Sequence, residues 1–67
     1  MTSEEIDMQN ALDNALLEFQ ATGTIQNKSN IEFIRDSYKK VTGSMMRNYA
    51  REIGGDAFVD EVDRICR

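Results

Sequence analysis

The chain has 67 residues, of which 40% are hydrophobic and 30% charged, with 12 acidic side chains against 8 basic ones and a formal net charge of −4. This composition argues against a disordered chain, and the length allows one domain, residues 1–67, near the lower limit at which a hydrophobic core holds without disulfides or metal. With no histidine and one cysteine, histidine-based acid–base catalysis, Ser-His and Cys-His nucleophiles and thiolate zinc sites are excluded, while the acidic balance disfavours wholesale binding to nucleic acid or an anionic membrane.

The charge is uneven. Residues 1–27 carry Glu4, Glu5, Asp7, Asp13 and Glu18 with no base, whereas residues 28–53 set Lys28, Arg35, Lys39, Lys40, Arg47 and Arg51 against Glu32, Asp36 and Glu52. An acidic N-terminal stretch without an apolar run is unlike a secretory leader or a membrane span, so an intracellular, cytoplasmic protein is expected. A lone cysteine fits a reducing compartment.

There is no proline, and the glycines stand at 23, 43, 54 and 55, where helical periodicity changes. An all-α bundle of three to four short helices follows, at about 3–21, 30–42, 44–53 and 56–66. The first helix opens on Thr2 and Glu5, the spacing of a capping box. Met8, Ala11, Leu12, Ala15, Leu16 and Phe19 then share one face, with Ile6 and Leu17 together on the opposite one. Ser29 and Glu32 repeat the cap spacing ahead of Ile31, Ile34, Tyr38 and Val41.

Over "VTGSMMRNYARE" an unbroken helix would leave its apolar residues pointing in two directions, about 70° apart. A break at Thr42–Ser44 is therefore expected, with Ser44 as the N-cap and Gly43 as a left-handed closing residue. Gly54 and Gly55 end the next segment, and Asp56 caps a last helix that carries Phe58, Val59, Val62, Ile65 and Cys66 inward. The expected core is Leu12, Leu16, Phe19, Ile34, Tyr38, Met45, Tyr49, Phe58, Val62 and Ile65.

No phosphate-cradling loop is present. Asp56, Asp60, Glu61 and Asp63 read as a solvated helix face rather than a calcium loop, and Cys66 as a small core residue rather than a reactive thiol. No enzyme, cofactor or metal site is expected. Phe33 projects among Asp36, Ser37 and Lys40, the composition of an interface anchor with its charged rim.

The leading expectation is a protein-binding regulator, inhibitor or adaptor that uses Phe33, Lys40, Arg47 and Arg51. Homo-oligomer formation is a further option for so small a core. The alternative is a helix-turn-helix-like nucleic-acid binder reading bases with Ser44, Arg47, Asn48 and Arg51. A structural subunit of a larger assembly, burying Met45, Met46, Ile6 and Leu17, is a third. By size and composition alone, the chain is analogous to the compact helical regulators of phages and mobile elements.

Overall fold

The computed structural model describes residues 2–67, which form three helices: α1 (Ser3–Thr22), α2 (Lys28–Lys40) and α3 (Gly43–Cys66). Each helix packs on both of the others. Four helices were an open expectation, and the structure has three because the last two join across the glycine pair. Only Gly55, at φ 78° and ψ −175°, leaves helical geometry within α3.

That one residue folds the helix sharply. In a straight helix residues 47 and 63 would lie about 24 Å apart, yet Arg47 Nε is 3.1 Å from Asp63 Oδ1. Residues 43–54 therefore make a first arm and residues 56–66 a second arm that doubles back along it. Asp56 is not the cap that its sequence position implies: its carboxylate accepts from Arg51 Nε at 3.0 Å, and glycine makes the turn.

The N-terminal cap of α1 is as expected, with Thr2 Oγ1 accepting from the Glu5 amide at 3.2 Å. The next two caps differ. Helix α2 starts at Lys28 rather than Asn30, because Asn27 Oδ1 accepts from the Asn30 amide at 3.2 Å and supersedes Ser29. Glu18 holds that approach in place by accepting from the Gln26 and Asn27 amides, so the Asn27 backbone is set before the helix begins.

The break after α2 is present but earlier than expected. Val41 is extended, and Thr42, not Ser44, caps α3 by accepting from the Met45 amide at 3.1 Å. Gly43 is accordingly a first-turn residue of α3 without positive φ. A Cβ at Gly43 would meet Tyr38 Oη at 3.4 Å, an ordinary contact, so packing does not demand glycine there.

The core comprises Met8, Ala11, Leu12 and Ala15 of α1, Ile34 of α2, and Met46, Ala50, Phe58, Val59, Val62 and Ile65 of α3, together with Ile25 from the α1–α2 loop. Leu16, Phe19 and Tyr49 pack on its edge, and the Phe19 and Phe58 rings lie 5.4 Å apart. Two expected core residues are at the surface instead, Tyr38 and Met45. Ser37 takes the inward position beside Ile34. Met46, one residue or about 100° round from Met45, lines up with Ala50 and Ile53.

Candidate functional site

The functional reading of the sequence centred on one aromatic. Phe33 is 52% exposed, whereas its neighbour Ile34 is fully buried. Helix α2 is thus held by one side and presents Phe33 from the other. A shallow groove of about 280 Å³ lies against the ring, lined by Ser29, Glu32, Phe33 and Asp36. Seven residues on, Lys40 is exposed on the same face and borders a second groove with Glu4, Glu5 and Met45. Ser37, placed by the helical projection next to Phe33, is buried.

Arg47 and Arg51 belong to a different helix. An unbroken helix would have set them on one stripe with Phe33 and Lys40, and the break at Val41–Thr42 removes that stripe. Both arginines face carboxylates of the folded-back arm: Arg47 lies 3.1 Å from Asp63 and Arg51 3.0 Å from Asp56. Ser44 and Asn48 are exposed on the first arm of α3. For the base-reading alternative, a phosphate approaching Arg47 or Arg51 must compete with a carboxylate already in place.

Three of the four acids of the last segment are engaged in this way. Glu61 accepts from Arg64 at 2.7 and 2.8 Å and from the Ile25 amide at 2.7 Å. Arg64 and the Ile25 amide hold its carboxyl below the usual carboxylate range, against the opposing effect of burial. Glu18 is lowered as well, first by the Gln26 amide and then by the Asn30 side chain.

These two carboxylates, from different helices, fasten the α1–α2 loop, a feature that the sequence reading missed. One signal was available: an acid near the C-terminal end of a helix opposes its dipole, so Glu18 called for another partner. Ile25, the one large apolar side chain between α1 and α2, was the other half of that signal.

Tyr49 donates to Asp13 Oδ1 at 2.8 Å, tying α3 to α1, and this hydrogen bond holds the phenol above the ordinary tyrosine range. At the C-terminal end, Arg35 Nε donates to the Ile65 carbonyl at 3.2 Å. Cys66 sits half-buried beside it in a cleft of about 230 Å³ shared with Tyr38, Lys39 and Arg67. Burial pushes the Cys66 thiol up, which keeps it protonated and weakly nucleophilic.

Among the described residues no helix is long and apolar enough to cross a membrane. Comparisons of the chain with protein-family models, with curated proteins and with solved structures gave no match.

Proposed function

We propose that the protein is a non-enzymatic module that binds another protein through the outer face of α2, with Phe33 as the anchor and Lys40 on its rim. The observation that carries this reading is the half-exposed Phe33 ring on a helix whose opposite face is locked into the core. An aromatic side chain offers roughly 200 Å². Covering the exposed half removes about 100 Å² from water, a contribution of about 2.5 kcal/mol at 25 cal/mol per Å². That is the magnitude of an interface hot spot.

Glu32 and Asp36 beside the ring, with Lys40 beyond, give the surface a charge pattern that a partner must complement, favouring encounter with the right protein over others. Arg47 and Arg51 contribute less to that pattern than their sequence positions implied, because each already has a carboxylate against it.

The test is affinity capture from native lysate, with and without nuclease, using the wild-type chain, Phe33→Asp, Lys40→Glu and a control, Asp60→Asn, at an exposed position of α3. A protein partner that survives nuclease, is lost with Phe33→Asp, weakens with Lys40→Glu and is retained by Asp60→Asn supports the reading. Recovery of nucleic acid, with proteins vanishing on nuclease treatment, transfers the function to Ser44, Arg47, Asn48 and Arg51. Equal capture by wild type and Phe33→Asp rules out the α2 face.

A further inference from the structure

A second unpartnered face lies on α1. Leu17 is 69% exposed and Ile6 46% exposed. They stand eleven residues apart, about 16 Å along the helix axis and within roughly 20° of the same direction. Asn10, Asp13 and Asn14 lie between them and Asp7 beside them, all exposed. Two large aliphatic side chains on one line of an otherwise polar face leave apolar area that the chain itself does not cover.

Charge selects the occupant. Helix α1 carries Glu4, Glu5, Asp7, Asp13 and Glu18 and no lysine or arginine. None of these acids forms an ion pair among the described residues, since the three arginine pairs go to Asp63, Asp56 and Glu61 of α3. Of these, Asp13 stands on the Ile6–Leu17 line and Asp7 beside it, and an acidic helix of this kind repels a nucleic-acid backbone and an anionic membrane. It also repels its own copy, because pairing α1 with α1 sets two such acidic helices together.

We propose that the outer face of α1 is a docking surface for a basic amphipathic helix of a partner protein. The partner helix lays two apolar side chains, about three turns apart, on Ile6 and Leu17. Its lysines or arginines reach Asp7 and the Oδ2 of Asp13, whose Oδ1 already accepts from Tyr49. Charge-assisted hydrogen bonds there fix the register, and the acidic field of α1 speeds the encounter. This surface is separate from Phe33 on α2 and does not depend on it.

The experiment places a photo-reactive benzophenone residue at position 14 of the full chain. The chain is irradiated in extract of the cells that make it, and the cross-linked segment is identified by mass spectrometry. The expected adduct is a segment with positive net charge and helical spacing of its apolar residues. Its yield falls about tenfold with Leu17→Asp and with Ile6→Glu, falls as salt is raised from about 0.05 to 0.5 M, and is unchanged by Phe33→Asp.

Circular dichroism confirms that each variant folds. Absence of an adduct, an adduct to an acidic segment, a second copy, a nucleic acid or a lipid, or an adduct that persists in Leu17→Asp each overturns the proposal. Loss of the Phe33-dependent partner alone leaves the α1 adduct intact, so the two readings fail separately.

Discussion

Replacing Gly54 with alanine sets two physical effects against each other. Helix propensity alone favours alanine by about 1 kcal/mol, and Gly54 has no positive φ to protect. A Cβ at this position, however, would sit 2.6 Å from Phe58 Cβ and 2.7 Å from ring carbons Cγ and Cδ2. Phe58 is fully buried and packs against Phe19, so it has no empty space into which to retreat. Overpacking of this kind costs about 1–3 kcal/mol, and contacts this short fall at the upper end.

The net loss is therefore about 2 kcal/mol, out of a total stability of roughly 3–10 kcal/mol for a chain of this length. At about 4–8 °C per kcal/mol for a small domain, the midpoint of thermal unfolding should fall by roughly 8–16 °C. Circular dichroism at 222 nm measures it, and urea titration gives the free energy independently. A midpoint that is unchanged or raised would refute the close approach of Gly54 to Phe58 and the packing at the bend.

Three further outcomes follow from the same geometry. Gly23, at φ 83° and ψ −4°, is a left-handed C-cap, whereas Gly55 occupies a region open almost only to glycine. Gly23→Asn should thus unfold within a few degrees of wild type, while Gly55→Asn loses about 1–3 kcal/mol or straightens α3 into an exchanged dimer visible by sedimentation. Ile25→Ala should cost about 2–4 kcal/mol in urea unfolding, because the side chain is 1% exposed and its removal leaves a cavity.

The pH dependence comes from Glu18 and Glu61, whose folded pKa values are both lowered. Their contribution is present above the unfolded glutamate value of about 4.3 and is lost as the pH falls through the folded values. Protection of the Ile25, Gln26 and Asn27 amides, taken relative to each amide's intrinsic exchange rate at the same pH, should fall over that range in wild type, and a Glu18→Gln, Glu61→Gln double variant should show low protection already at neutral pH.

The all-α class and most of the inward faces were legible because period and caps are local. Thr2 and Glu5 announced α1, and Leu12, Ile34, Phe58, Val62 and Ile65 entered the core as their spacing implied. What periodicity could not decide was competition between neighbours of similar propensity. Asn27 prevailed over Ser29 because Glu18 fixed its backbone, and Thr42 over Ser44 because its hydroxyl reached the Met45 amide.

Long-range placement was the second limit. Arg47 and Arg51 looked free until the chain turned at Gly55 and brought Asp63 and Asp56 against them. Phe33, Ile6 and Leu17 were legible as outward residues from helical projection alone. The surfaces were therefore easier to read than the charges around them.

The bond from the Ile25 amide to Glu61 joins residues 36 apart in sequence. During synthesis α1, the loop and α2 emerge first, but Ile25 has neither its carboxylate nor the second arm's share of the core until that arm of α3 has left the ribosome and folded back. The loop thus closes only once the second arm of α3 is in place, and its closure reports that the arm has folded back. A chain ending at Gly54 should remain open at Ile25 and be cut there by protease, while the full chain resists.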